Sequence, residues 1–219
     1  MTLSKSQRDW LKKATSQYHQ ALAGSQAAEH LEARSLSPEK ISKFRLGAVS
    51  EPEPGHEAYA GRLAIPYLRR SITGDWTVVT IRFRCVQDHE CKREKHGKYL
   101  DMPGELGKPR LFNTVDAIDH QDWICITEGE LDAVAASSNG IPAVGVSGAT
   151  KWLDHWSEVF EGYDTVYVLA DGDTAGSEFG KLVSSHLNNS RTIPMDPGDD
   201  VNSMIQKYGV EKITERIGR

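Results

Sequence analysis

Residues 124–132 read I-C-I-T-E-G-E-L-D, an apolar run that ends in an acidic turn and leads into a helix-like segment. Further on, residues 166–176 read V-Y-V-L-A-D-G-D-T-A-G and repeat the plan. A short apolar run rich in β-branched residues and bounded by glycine and acids predicts a buried strand. Each stretch therefore sets carboxylates just past a strand end: Glu128 after the first, Asp171 and Asp173 after the second.

Working outward, the rhythm stays regular to the C-terminus. Strands are expected over 123–127, 142–147, 165–170 and 191–195, and helices over 130–139, 149–160, 174–187, 201–208 and 210–217. The 149–160 segment would turn Trp152, Trp156, Val159 and Phe160 to its apolar side. Strands alternating with helices predict a parallel sheet covered on both faces. Right-handed crossovers then place every strand-to-helix turn on one rim, the carboxyl edge at which such sheets bind ligands. Glu128 lies at one such turn, Asp171 and Asp173 at a second, and Asp199 and Asp200 at a third.

Like charges held close raise one another's pKa unless a cation offsets them. An oxygen-only donor set selects hard Mg²⁺ or Mn²⁺. Each piece alone has an ordinary structural explanation. Asp-Gly is a common turn, and acids at a helix start favour the helix dipole. The weight lies in order, spacing and topology together.

Toward the N-terminus the pattern changes. Residues 4–45 read as helical: Trp10, Leu11, Ala14, Tyr18 and Leu22 form one stripe, Ser25 can cap a second helix, and Ser37-Pro38-Glu39 opens a third. Strands are expected over 62–68, with Pro66 near an end or edge, and over 76–84. Arg82 and Arg84, two apart on that strand, share a face and make a phosphate platform or a pair of surface charges with local carboxylate partners. Cys85, His89, Cys91 and His96 have the residue types of a Cys₂His₂ zinc site, but their spacing matches no common zinc frame. A charged, solvated loop without metal is the reading that stands ahead there.

Composition bounds the rest. With 219 residues, 38% of them hydrophobic and 26% charged, the chain is globular rather than disordered. No run approaches the roughly 20 apolar residues of a membrane span, and the first ten residues lack a signal-peptide core. Three cysteines argue against a disulfide framework, so a cytoplasmic setting is expected. The net charge of −5 conceals an asymmetry. Residues 62–98 hold nine Lys/Arg against four Asp/Glu, whereas 121–205 hold three against fourteen. A basic face and an acidic metal pocket would account for both; two ordinary solvated surfaces would as well.

Here the sequence resembles a family. I-T-E-G-E-L-D-A followed by V-L-A-D-G-D-T-A-G is similar to the TOPRIM domain of bacterial DnaG-type primases, type IA and type II topoisomerases and some nucleases. Tyr18-His19, the segment 27–47 with its L-S-P, G-R-L-A-I-P-Y at 61–67, Lys98-Tyr99-Leu100 and Leu111-Phe112 resemble the RNA polymerase domain of the primases in particular. Residues 195–209 are similar to the segment after its D-x-D helix, so the resemblance runs from about residue 15 to 210. It implies an α/β chain: a C-terminal TOPRIM domain at 121–219, a parallel sheet flanked by helices, and an N-terminal α+β subdomain at 1–120.

By that resemblance, Glu128, Asp171 and Asp173 gather catalytic Mg²⁺ or Mn²⁺, with Asp200 an outer ligand; the family's companion acid falls on Asn202. Lys98, Arg62, Arg82 and Arg84 would form a basic ridge for template and nucleotide, the Arg82 and Arg84 match being looser. The implied activity is metal-dependent synthesis of RNA primers from NTPs on single-stranded DNA. A TOPRIM nuclease and a non-catalytic single-stranded-DNA-binding remnant are the alternatives. The family's N-terminal zinc-binding domain and C-terminal helicase-binding domain have no counterpart here. This implies a separate helicase or zinc-binding partner, and a phage-encoded origin in a host cytoplasm suits so reduced a core.

Overall fold

The structure is a computed structural model and describes residues 3–71, 73–119, 122–148 and 151–219. The chain forms two compact units, Met1–Lys108 and Pro109–Arg219.

The N-terminal unit opens with α1 (Lys5–Gln20), whose Ser4 and Gln7 make a capping box. Helices α2 (Gln26–Glu32) and α3 (Pro38–Ile41) follow. Ser25 caps α2 by accepting from the Ala28 N–H, as its place before the apolar residues suggests. Strands β1 (Gly47–Ala48), β2 (Leu63–Arg70), β3 (Trp76–Arg84) and β4 (Tyr99–Leu100) form an antiparallel sheet in that order. Pro66 has no N–H to give a ladder. It is tolerated because β1 pairs only with Leu63 and Ala64, leaving β2 an edge strand beyond them. The apolar stripe of α1 (Leu11, Ala14, Tyr18) packs with Val78, Ile81 and Phe83 of β3. The Tyr18 hydroxyl is hydrogen-bonded to His56 Nδ1 (2.7 Å) and accepts from the Glu53 N–H, tying the loop before β2 to the helix.

The C-terminal unit begins with α4 (Thr114–Asp119). Strands β5 (Trp123–Thr127), β6 (Ala143–Gly145), β7 (Thr165–Ala170) and β8 (Ser190–Pro194) are all parallel, in the order β6-β5-β7-β8. Helices α5 (Glu130–Ser138), α6 (Thr174–His186), α7 (Val201–Tyr208) and α8 (Glu211–Ile217) accompany them. The core is aliphatic and aromatic: Ile124, Ile126, Val166, Val168, Phe160 and Phe179 meet in one cluster.

Two features differ from the sequence expectation. Residues 109–119 pack with the C-terminal unit, although 1–120 was expected to be one subdomain. Phe112 bridges to Gly145, and the Asp116 carboxylate accepts from the Ala143 N–H. The expected boundary itself, at residues 120 and 121, lies outside the described residues. The expected helix over 149–160 is instead a 3₁₀ segment, Asp154–Val159, held by i→i+3 bonds such as Trp156 N–H to Leu153. Trp156 within the segment and Phe160, the residue that follows it, are buried in the core, while Val159 faces solvent. The start of that helix, at 149 and 150, also lies outside the described residues.

Candidate metal and nucleic-acid site

The strand order decides which turns become neighbours. Strand β5 lies beside β7 with Thr127 opposite Leu169, so the residues that follow, Glu128 and Asp171, emerge side by side. Strand β8 lies on the other flank of β7, and its following turn brings up Asp200. The Asp171 N–H donates to Glu128 Oε1 (3.1 Å), joining the two sequence motifs directly.

Close packing holds this turn. The Met195 N–H reaches the Ala170 carbonyl, the Gly172 N–H the Asp199 carbonyl, and the Gly198 N–H the Gly172 carbonyl. A Cβ on Gly172 would lie 1.8 Å from the Asp196 carbonyl oxygen, and one on Gly176 would lie 2.1 Å from the Asp171 carbonyl oxygen. Both glycines are thus required by backbone approach, and the D-G-D-T-A-G spacing is a packing constraint as well as a chemical one.

The electrostatics are those of crowded anions. Burial raises the Asp171 carboxyl, and Asp132, Glu128, Asp200 and Asp173 raise it further, to about 8. Its Oδ1 is buried with no hydrogen-bond partner. Burial also raises Glu128; the Asp171 N–H opposes that shift and the Asp173 charge adds to it. Asp173 caps α6 through the Gly176 N–H (2.8 Å), and Asp200 caps α7 through the Ser203 N–H (2.7 Å). Each therefore spends one oxygen on a helix start, the ordinary role an acid has there. Asp199 does not join the set: Lys207 and Ser203 hold it.

Asp132 is the residue that sequence reasoning missed. It stands four residues after Glu128, in the first turn of α5, and accepts from the Asn202 N–H (3.2 Å). The i, i+4 spacing from Glu128 was the available signal. Asn202 is buried, and the bond comes from its backbone N–H rather than its amide side chain.

Beside the D-G-D turn lies a cavity of about 460 Å³, lined by Asp171, Asp173, Ser177, Lys181, Thr192 and Met195 among others. An all-oxygen donor set, with a buried carboxylate oxygen lacking any partner, fits a hard divalent cation.

In the N-terminal unit, Arg82 and Arg84 do share a face: both guanidiniums lie over the Tyr99 ring, at 4.6 and 5.2 Å. Arg82 also pairs with Asp101 (2.7 Å), and Arg84 is 94% buried and donates to the Tyr99 hydroxyl. Arg62 donates to the Gly97 carbonyl, and Lys98 is exposed. His30 reports on the charge here. Burial, then Arg84, Arg34 and Lys98, push its pKa down to about 4, so it is a neutral imidazole among cations. Cys85, His89, Cys91 and His96, expected first as a metal-free loop, converge: their ligand atoms all lie within 4.8 Å of one another. Among the described residues no group of acids is drawn so tightly together.

Comparison with known proteins agrees with this architecture. A Toprim-like family model matches residues 125–205. The gene 57 protein of Mycobacterium phage D29 is 47% identical over 159 residues, 73% of this chain and 99% of that protein. A DNA primase of Haemophilus influenzae is 24% identical over 240 aligned positions, 93% of this chain but 40% of the primase, so the chain spans well under half of that enzyme. The DnaG primase catalytic domain solved bound to single-stranded DNA superposes with a TM-score of 0.72, covering 96% of this chain and 79% of that one at 21% identity. A TOPRIM-like fold implies a divalent-cation site, in keeping with the donor set at Asp171. No helix among the described residues is long and apolar enough to cross a membrane. The chain belongs to the family of the mycobacteriophage gene 57 protein, TOPRIM-containing chains with the fold of the DnaG-type primase RNA polymerase domain.

Proposed function

We propose that this protein is a primase catalytic core, which joins NTPs into short RNA primers on a single-stranded DNA template. The observation that carries the reading is the direct coupling of Glu128 to the Asp171 turn at one sheet rim. Glu128, Asp171 and Asp173 would hold Mg²⁺ or Mn²⁺, with Asp200 and Asp132 adjoining. A cation so held lowers the pKa of the attacking 3′-hydroxyl and offsets charge building on the α-phosphate.

The chain's own residues supply position and proton handling. The Asp171 N–H fixes one oxygen of Glu128. Proton acceptance is the alternative to metal ligation for Glu128: without a cation on it, burial makes it more basic than a solvated glutamate, which suits it to take the 3′-hydroxyl proton. The glycine-packed turn keeps Asp171 and Asp173 from relaxing away from one another. In the N-terminal unit, Arg62 and Lys98 are the groups we assign to polyanion binding, because Arg84 is buried against Tyr99 and Arg82 is paired with Asp101, the local-partner alternative for that strand face. The nine Lys/Arg against four Asp/Glu over residues 62–98 support a surface suited to phosphates.

The test is incorporation of labelled NTPs on single-stranded DNA with Mg²⁺ or Mn²⁺. Short RNA products that require template, NTPs and metal are expected. Degradation of the DNA without NTPs would make the protein a TOPRIM nuclease instead. Template binding with no product at any metal concentration would make it a binding module.

A further inference from the structure

The loop between β3 and β4 is difficult to explain as ordinary polypeptide. Residues 85–96 contain no helix or strand, and Val86 is their one buried aliphatic side chain. Twelve residues with so little core do not hold a fixed path by hydrophobic burial. Yet the loop folds back on itself. Lys95 takes a left-handed conformation (φ 55°), unfavourable for a side chain with a Cβ, and this returns the His96 N–H to the Cys91 carbonyl. The Cys85 N–H bonds the Lys98 carbonyl and closes the neck.

What the loop encloses is a set of donor atoms. Cys85 Sγ lies 3.6 Å from His89 Nε2, and His89 Nε2 lies 2.7 Å from His96 Nε2. Cys91 completes the quartet, with all four ligand atoms within 4.8 Å of one another. Tetrahedral zinc, with Zn–S near 2.3 Å and Zn–N near 2.0–2.1 Å, sets its ligand atoms about 3.3–3.8 Å apart. The cysteine–histidine separation already has that value. The two imidazole nitrogens need to open by about 0.6 Å to reach it.

The surroundings orient the ligands. His96 Nδ1 lies 3.1 Å from the Gly97 carbonyl oxygen, to which Arg62 also donates (3.1 Å). Arg62 Nη2 also lies 3.4 Å from His96 Nδ1, so Nδ1 either donates to the closer Gly97 carbonyl or accepts from Arg62; the first tautomer leaves the Nε2 lone pair aimed at His89, the arrangement in which histidine ligates a metal.

We propose that Cys85, His89, Cys91 and His96 bind one structural Zn²⁺ that orders the β3–β4 loop. Two thiolates and two imidazoles form a borderline-soft set that favours zinc over Mg²⁺, and four protein ligands close the site to substrate. Binding releases the thiol protons of Cys85 and Cys91. The donors differ in kind from the oxygen set at Glu128 and Asp171, so the zinc site and the proposed primase activity stand or fall separately.

The test uses the full chain, purified without chelator and analysed for metal, then loaded with Co²⁺ in place of zinc. We expect about one zinc per chain, and a cobalt spectrum with thiolate-to-metal charge transfer and tetrahedral d–d bands. A Cys85→Ser/Cys91→Ser chain should lose both, while Asp171→Asn keeps both. Wild-type protein that takes up less than about a tenth of an equivalent after zinc is added back, and shows no thiolate bands with cobalt, overturns the proposal. So does zinc content unchanged by the double cysteine substitution. Because the wild-type cobalt spectrum needs no variant, a double mutant that fails to fold leaves the test intact.

Discussion

The two units bury ionisable groups in opposite ways. The N-terminal unit favours the neutral form of two imidazoles: burial holds partly buried His30 and fully buried His56 below the usual histidine range, and His56 rests in a bond with Tyr18. The C-terminal unit instead crowds carboxylates around Asp171, whose Oδ1 has no partner at all. The first arrangement buries neutral groups, although His30 and His56 each leave Nε2 without a partner; the second gathers four like charges about a fifth, a cost without structural benefit. Buried like charges with an unsatisfied oxygen are what a cation site looks like from the protein's side.

The largest expected effect tests that contrast. Asp171→Asn or Asp173→Asn should reduce NTP incorporation by about 10³-fold or more while leaving the fold intact, as circular dichroism would verify. An arginine-to-alanine change at Arg62 in the N-terminal unit should instead weaken template binding by about tenfold and make it less salt-dependent, read by fluorescence anisotropy across a salt series.

Next in size is the packing of the rim. Gly172→Ala places a methyl against the Asp196 carbonyl, and should cost about 2–4 kcal/mol in urea denaturation. A loss below about 0.5 kcal/mol would mean that the turn has slack and that its carboxylates are not held in register.

Asp132→Asn should act on metal rather than on folding, since an amide oxygen can still accept from the Asn202 N–H. We expect the Mg²⁺ concentration for half-maximal incorporation to rise about three- to tenfold. An unchanged requirement would remove Asp132 from the site.

How much of this was legible follows from what sequence encodes locally. The bounds of β3, β5, β7 and α7 were read to the residue, because alternation, apolar runs and the Asp200 cap are local signals. The gathering of Glu128 with Asp171 was reached through topology, since neighbouring parallel strands end on one rim. Asp132 was missed because its approach to Asp171 depends on the angle at which α5 leaves β5, which no periodicity specifies. The 149–160 helix was expected from aromatic spacing, but the 3₁₀ segment Asp154–Val159 buries Trp156, and Phe160 reaches the core from the residue after the segment ends. The Cys85–His96 convergence rests on a left-handed turn at Lys95, a residue that gives no sign of it in sequence.

The smallest effects are thermal, and they run in opposite directions in the two units. The raised Asp171 pKa means the folded state holds its proton more tightly than the unfolded chain. Its stabilisation is full below about pH 4 and lost as pH rises through about 8. Asp171→Asn should therefore raise Tm by about 2–4 °C at pH 8 in magnesium-free buffer, with little change near pH 4. His30 has the other sign. Its depressed pKa gives stability that is present above pH 6.5 and lost as pH falls through about 4. His30→Gln should flatten that acid limb in a melting series, and an unaltered limb would exclude His30 as its source.

The central claim, that the rim of the C-terminal unit is a divalent-cation site, is tested most directly by titrating Mn²⁺ into the wild-type chain and into an Asp171→Asn/Asp173→Asn chain by calorimetry. The account predicts saturable Mn²⁺ binding to the wild type that disappears in the double variant. Equal Mn²⁺ binding by both chains would contradict it.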